Sequence, residues 1–454
     1  MAVLFGADEI LHIRPESETR EKVILVGVRE TAAKEHMSEN DFAHAMEELK
    51  ELTRACDMDP LLTITQQLPL CDHALYVRAG KADDLAFLVR DQEAERIVCN
   101  DTLSPMQMRN LQKILGVPVM DRTGLILEIF SRRAGSREAR LQVELASLQY
   151  LKPRLIGMWE TQNRQGGASG ALSSKGEGEK QLEIDRRTID HRLARLRREL
   201  KVVATERETQ RKLRTDSHLP LVALVGYTNA GKSTIMNAMM GRWEASDSKE
   251  VFAADMPFAT LDTSIRKIRV EKGREFLLSD TVGFIRALPT SLVEAFHSTL
   301  EEVTRADLLL QVVDGSDDHH PEHIQTTRET ITALGAGHIP MVTIFNKSDL
   351  RGISGAYPRR GLRESSVAGE TNENIYISAK DTDSIELLTQ VILEKLEKGH
   401  VQRAYLIPYH RGDVLSFLAA HGRVLSCEYR EDGTALRVCC DPVIAKRAGK
   451  MLAR

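Results

Sequence analysis

The residues best suited to chemistry are Gly226-Tyr227-Thr228-Asn229-Ala230-Gly231-Lys232-Ser233, followed by Thr234. Their spacing, G-x-x-x-x-G-K-S, fits a loop that closes on phosphate. The glycines let the backbone curl so that amide N–H groups at a helix N-terminus face an anion, Lys232 adds charge, and the Ser233 hydroxyl can ligate Mg2+. The strand-like run Leu221 to Val225 precedes the loop and an apolar helical pattern follows it. A plain glycine turn before a core helix is the bland alternative, and the strand–loop–helix setting argues against it.

The base attached to those phosphates is read further along. Asn346-Lys347-Ser348-Asp349 closes another strand-like run, Met341 to Phe345. An ionised Asp349 only accepts hydrogen bonds, so it suits the ring N–H and exocyclic amine of guanine and opposes the acceptor edge of adenine. Alone, this tetrapeptide fits an ordinary charged loop equally well. Two more loops weigh against that: Asp280-Thr281-Val282-Gly283 follows Phe276 to Leu278, and Ser378-Ala379-Lys380 follows Ile375 to Ile377. All of these loops fall in order at strand ends, where open α/β sheets bind their ligands. The pattern predicts a domain that binds GTP and GDP.

At these positions the chain resembles the translation-factor-related branch of P-loop GTPases. The resemblance implies that Asp280 holds Mg2+ through water, that Gly283 senses the γ-phosphate, and that Ser233 ligates the ion. Phe258-Ala259-Thr260-Leu261-Asp262 lies between the phosphate loops, and Thr260 is similar to the threonine that ligates Mg2+ only in the GTP state; Thr263 is near enough to compete for that role. Many GTPases follow the sensing glycine with a glutamine that orients water, whereas this chain has Phe284. Slow intrinsic hydrolysis, raised by a partner or another ion, is therefore expected. In related GTPases an asparagine at the place of Asn229 helps to coordinate K+; the alternative is that Asn229 only tolerates a tight turn. The expected catalytic set is Lys232, Asn229, Thr260 and Gly283, with the remaining loop residues holding nucleotide.

The rest of the chain must position these loops. Its 454 residues, 42% hydrophobic and 28% charged, suit several domains with a sizeable core. No apolar run approaches the roughly 18 to 20 residues that span a bilayer, and Asp8, Glu9 and Arg14 interrupt the N-terminal apolar residues, so a cytoplasmic protein is expected, neither secreted nor integral to a membrane. Six cysteines without a C-x-x-C pair read as reduced thiols and imply no metal site. Residues 1–131 alternate strand-like and helical runs: Lys22 to Val28, Asn40 to Cys56, Leu61 to Thr65, Ala82 to Val89, Arg96 to Cys99, a helix starting at Ser104-Pro105, and Val117 to Met120. This is a separate α/β domain without a phosphate loop, for which docking is the default role.

Residues 132–215 are distinctive in another way. Leu182, Ile189, Leu193, Leu196, Leu200 and Val203 follow a coiled-coil seam, and Leu141, Leu145, Leu148 and Leu151 make a shorter stripe before it. Between the stripes lie Arg164-Gln165-Gly166-Gly167-Ala168-Ser169-Gly170 and Gly176-Glu177-Gly178-Glu179, a glycine-rich tip for a helical hairpin. Residues 131–214 hold 20 Lys+Arg and 11 Asp+Glu, a balance of +9 in a chain whose total is −4. A basic arm on an acidic body suits contact with RNA; periodicity and charge alone are equally consistent with a solvated coiled-coil face. Only Tyr150 and Trp159 are aromatic nearby, so stacking on single strands is not suggested.

Here the chain resembles one family, the HflX ribosome-associated GTPases. The likeness rests on Asp121-Arg122-Thr123-Gly124-Leu125-Ile126-Leu127-Glu128-Ile129-Phe130, on Gln142-Val143-Glu144-Leu145-Ala146 leading to Pro153-Arg154-Leu155, on the glycine-rich tip with Gly178-Glu179-Lys180-Gln181-Leu182-Glu183, and on Phe258 to Asp262. It extends to Ile407-Pro408-Tyr409, Glu428-Tyr429 and Asp432-Gly433. The tip departs from the family pattern at Glu177, Ala168-Ser169 and Ser173-Ser174. The resemblance implies a multidomain α/β chain: an N-terminal α/β domain at 1–131, a basic helical hairpin at 132–215, a P-loop GTPase domain at 216–398 and a small C-terminal α/β domain at 399–454. It also implies a protein that docks on the large ribosomal subunit through ribosomal RNA, splits stalled or idle ribosomes, and is stimulated by them to hydrolyse GTP; a monomer is expected. Two alternatives stay open: a K+-activated GTPase serving tRNA modification or membrane processes, and a non-hydrolysing scaffold that holds nucleotide.

Overall fold

Apolar runs dictate the strands, and the strands place the loops. The computed structural model describes residues 20–32, 37–165, 174–215, 219–245, 257–258, 264–270, 274–286, 302–350, 359–361, 374–397, 401–440 and 442–452. By contact the chain divides into two units, the first Met1–Glu208 with Ala254–Asp262 and Val282–Leu300, the second Thr209–Ala253, Thr263–Thr281 and Glu301–Arg454.

In the first unit, β1 (Glu21–Glu30), β2 (Met58–Leu68), β3 (Arg96–Cys99) and β4 (Val119–Asp121) form a parallel sheet in the order β2-β1-β3-β4. The central strand buries Val23 through Val28 without interruption, as a parallel strand covered on both faces requires. Helices α1 (Glu39–Ala55), α2 (Ala79–Asp91) and α3 (Pro105–Leu115) connect the strands. The start expected at Ser104-Pro105 is present. The Ser104 hydroxyl accepts from the Gln107 amide at 3.2 Å, the Gln107 side chain accepts from the Ser104 amide at 2.9 Å, and Gly116 ends the helix at φ 73°.

Helix α4 (Arg122–Arg133) follows β4 directly, capped by the Asp121 side chain, and buries every residue from Arg122 to Phe130. A short link leads to α5 (Arg137–Gln165), which pairs with α6 (Ser174–Thr215). Most of the predicted seam packs together: Leu141, Leu145 and Leu148 meet Leu193 and Leu196, flanked by Ile189, Leu200 and Val203, while Leu151 is not part of this cluster. Arg192 bonds Glu144 at 2.6 Å and Lys152 pairs with Asp190 across the same seam. The tip at 166–173 and the side chain of Leu182 lie outside the described residues.

The second unit is built on an eight-stranded sheet in the order β11-β12-β10-β9-β5-β8-β7-β6. Its parallel members are β5 (Leu221–Gly226), β8 (Arg274–Asp280), β9 (Leu308–Asp314), β10 (Met341–Asn346) and β12 (Asn374–Tyr376). Antiparallel β6 (Glu244–Ala245) and β7 (Ser264–Val270) close one edge and β11 (Arg359–Gly361) the other. Helices α7 (Lys232–Arg242), α8 (His320–Ala333) and α9 (Thr382–Leu396) belong to this unit, and residues from α7 and α9 join the sheet in one core with Val222, Met236, Phe276, Leu310, Ile344 and Leu388. The chain turns from β5 toward β8 on one side and toward β9 on the other. This reversal marks the ligand crevice at the carboxyl end of β5.

The last segment folds as β13 (Val401–Ile407), α10 (Gly412–His421), β14 (Arg423–Arg430), β15 (Gly433–Cys440) and α11 (Pro442–Leu452), an antiparallel β13-β15-β14 sheet over Val414, Leu418 and Val438. Among the described residues no helix is long and apolar enough to cross a membrane.

Phe258, 2% exposed, has its ring edge-on to that of Phe130 with centroids 4.7 Å apart.

Candidate nucleotide site

The phosphate loop runs from the end of β5 into α7, and its backbone explains its residue types. Gly226 has φ 147°, and a side chain there would meet the Val312 carbonyl; Gly231 has φ 93° and lies against Asn346. Asn229 also takes a left-handed φ, 59°, which asparagine tolerates better than most residues. Tyr227 is buried and stacks on His323 of α8, centroids 3.8 Å apart, with the His323 ring 3.5 Å from Asp317. Sequence reasoning missed His323 because nothing in its local spacing points to the loop.

Lys232 is 6% exposed, and its ammonium donates to the carbonyls of Gly226 at 3.1 Å and Tyr227 at 2.7 Å. Burial pulls its pKa down to about 8, while the nearby Asp280 charge acts in the opposite sense. The side chain thus bends back along its own loop, at the height where phosphate oxygens would compete for it. The Ser233 hydroxyl donates to Asp280 at 2.7 Å, bringing the end of β8 to the start of α7. Thr281 anchors the same loop by donating to the Leu224 carbonyl at 2.6 Å. Thr234 is exposed on the first turn of α7.

The loops after β10 and β12 are tied to the loop between β5 and α7 by one side chain. Asn346 donates through Nδ2 to the Ala230 carbonyl at 3.0 Å and accepts through Oδ1 from the Ala379 amide at 3.0 Å. It braces three loops at once. Lys347 takes φ 58° and pairs with Asp314 at 2.7 Å; Ser348 is buried against the Phe345 and Ile377 carbonyls; Asp349 is exposed. The Ser378 amide donates to the Ser384 hydroxyl at 3.2 Å, and the Ser378 hydroxyl accepts from the Lys380 amide at 3.4 Å. The second unit therefore brings together Gly226 to Thr234, Asp280, Thr281, Asn346 to Asp349 and Ser378 to Lys380.

Val282, Gly283 and Phe284 continue the chain from Thr281 and fall in the first unit, as does Phe258. Phe284 is 1% exposed, so no polar side chain stands immediately after Gly283 to orient water. Ala259, Thr260, Leu261 and Asp262 lie outside the described residues.

Such a site can seat a diphosphate on loop amides, with a cation and hard oxygen donors beside it, and offer a carboxylate to a base. Comparison with known proteins agrees. Residues 43–131 match the model for a GTP-binding GTPase N-terminal region, 133–214 that for a GTP-binding GTPase middle region, and 221–347 that for a 50S ribosome-binding GTPase. The chain is 38% identical over 424 residues to GTPase HflX of Caldanaerobacter subterraneus subsp. tengcongensis, covering 93% of this chain and 92% of that one. It is 44% identical over 363 residues to GTPase HflX of Akkermansia muciniphila, covering 79% and 80%. A GTP-binding protein from Sulfolobus solfataricus, solved with GDP, is 23% identical with a TM-score of 0.42, covering 83% of this chain and 98% of its own. Identity of this extent with the two HflX relatives leaves one conclusion: the chain belongs to the HflX family of GTPases and is a GTP hydrolase.

Proposed function

We propose that this GTPase docks in its GTP form on the large ribosomal subunit and splits stalled or idle ribosomes, releasing them as GTP becomes GDP and phosphate. The observation that carries this reading is a basic helical arm, +9 over residues 131–214, in the same chain as a guanine-nucleotide site. Such an arm suits a phosphate-rich surface. The match of residues 221–347 to a 50S ribosome-binding model supports the same partner. The four-part division at 131, 215 and 398, a cytoplasmic location and a monomeric state belong to this reading.

In the proposed cycle the loop amides and Lys232 stabilise charge developing on the phosphates. The Ser233 hydroxyl and Asp280 carboxylate, 2.7 Å apart, are hard oxygen donors that fit Mg2+, with Thr260 added in the GTP form. Bound Mg2+ would neutralise phosphate charge. Asn229 is the candidate to help hold K+, in the place where other GTPases receive an arginine. With Phe284 after Gly283, water is positioned by backbone and by the ribosomal partner, so the free enzyme turns over slowly.

The test is GTP turnover in K+ buffer with and without purified large subunits, using Na+ as control. Strong stimulation by the subunit is expected. Turnover that depends on K+ but ignores the subunit would overturn the reading in favour of a tRNA- or membrane-directed GTPase, and absence of turnover under every condition would leave a nucleotide-holding scaffold.

A further inference from the structure

We propose that α4 is a transmission rod that couples the nucleotide-responsive segments of the chain to the basic arm. Its biological use rests on the ribosome-directed reading above; its test does not.

One end of the rod is Phe130, 2% exposed, with Phe258 edge-on to it at 4.7 Å. Phe258 stands two residues before Thr260 and adopts φ 55°, a conformation that bulky side chains rarely take. An edge-to-face pair of this kind is attractive beyond its burial, which helps offset that strain. The segment after Gly283 joins the same unit: Phe284 and Ile285 are buried, and the Arg286 charge acts on the half-buried Asp101 carboxyl.

The rod itself is held on all sides. Arg122 bonds Asn100 at 3.2 Å and pairs with Glu48, Glu128 pairs with Arg96 at 3.8 Å, Arg96 in turn holding Glu21 at 2.9 Å, and Arg132 pairs with Asp57 at 3.3 Å. A helix so braced moves as a body rather than bending.

The other end is Asp121, fully buried, whose carboxylate accepts from the amides of Gly124 at 2.8 Å and Leu103 at 3.0 Å, from the Tyr150 hydroxyl at 2.7 Å and from Arg154 at 2.9 Å. Tyr150 and Arg154 both belong to α5. The Arg154 guanidinium also lies 3.6 Å from the Tyr150 ring centroid and donates to the Leu103 carbonyl at 3.0 Å. The cap of α4 is therefore also the clamp of the arm. From Tyr150 to the end of α5 the helix extends about 22 Å, so a turn of roughly ten degrees at the clamp displaces its far end by about 4 Å.

The experiment is hydrogen–deuterium exchange of the full-length protein with GDP and with a non-hydrolysable GTP analogue. Arm amides in 137–154 are expected to differ between the two states by about fivefold, the low end for coupled sites. Phe130→Leu and Tyr150→Phe, both outside the nucleotide site, are expected to bind each nucleotide normally and lose that difference. A purely structural role would shift exchange equally in both states. Tyr150→Phe removes one hydroxyl and guards against a folding defect in Phe130→Leu. Equal arm exchange in the two states of the wild type, or a difference that survives in both variants, would overturn the rod. Sedimentation with large subunits is read separately, so a failed ribosomal reading leaves the exchange result standing.

Discussion

Affinity for GDP should fall as the pH rises from about 7 to about 8.5, through Lys232. Burial depresses its ammonium to about 8, against the opposing pull of Asp280. The carbonyls of Gly226 and Tyr227 also favour the charged form, so desolvation outweighs several favourable groups. The sign follows from the direction of the shift: the charged form is present below about 8 and lost above it. Phosphate needs that charge and, once seated, keeps the ammonium protonated. For a pKa of about 8 the empty site is about nine-tenths protonated at pH 7 and about one-quarter at pH 8.5, so Kd rises about fourfold.

Calorimetric titration with GDP, in two buffers of different ionisation enthalpy, reads both quantities that this argument fixes. Affinity should drop about fourfold, and each GDP bound at about pH 8.5 should take up about 0.75 proton. GDP avoids turnover, and the range stops short of ionising the guanine ring. Lys232→Met should bind weakly with no pH dependence across this window. Constant wild-type affinity with no proton uptake would mean that the carbonyls and Asp280 keep Lys232 charged in the empty loop, and the desolvation argument fails. The same displacement disfavours the empty protein by about 3 kcal/mol near neutrality. Between about 8 and 10.5 the unfolded chain holds the extra proton, so this group's contribution to stability rises with pH across that window.

Three further outcomes follow from particular contacts. Asp349→Asn should reduce the preference for GTP over ATP by about 2 kcal/mol, roughly thirtyfold, in competition binding; unchanged selectivity would remove Asp349 from base reading. Asn346→Ala leaves the Ala230 carbonyl and the Ala379 amide without their shared partner and should cost about 2–3 kcal/mol in urea denaturation, with weaker GDP binding; a loss below about 0.5 kcal/mol would show that the three loops do not need the brace. Leu196→Ala opens the centre of the α5–α6 seam and should destabilise the arm by about 2–5 kcal/mol, seen as faster exchange in 137–154 with GDP affinity unchanged; weakened GDP binding would contradict a locally confined effect.

The phosphate loop was legible because anion binding fixes residue types at fixed offsets, and the arm because a coiled-coil seam repeats. The inner strands of the first sheet were legible as continuous apolar runs. Edge strand β2 was harder: expected at Leu61 to Thr65, it spans Met58–Leu68, with Pro60 and a half-exposed alternation that only an edge tolerates. What sequence could not supply are relations between distant side chains. Asn346 reads locally as part of a base-binding tetrapeptide, yet its two bonds go to Ala230 and Ala379. His323 behind Tyr227, and Phe130 beneath Phe258, are equally invisible until the sheets bring them together.

The strained residues of the nucleotide site divide its energetics in an informative way. Gly226, Asn229, Gly231 and Lys347 all hold positive φ, and Lys232 is buried beside them. Strain of this kind persists where surrounding contacts over-determine the backbone, and here those contacts are the Asn346 brace and the Lys347–Asp314 pair. A loop preorganised on the diphosphate stabilises GDP and GTP alike. Equal affinity for two states shifts no equilibrium, however tight the binding. Discrimination between the nucleotides must therefore come from other segments, and we propose the stretches around Thr260 and Gly283 for that role. Both stretches fall largely in the first unit, the one that carries α4 and the arm. On this division of labour, substitutions in the braced loop alter affinity for both nucleotides together, whereas Phe130→Leu and Tyr150→Phe leave both affinities in place and remove only the difference in arm exchange between the two states.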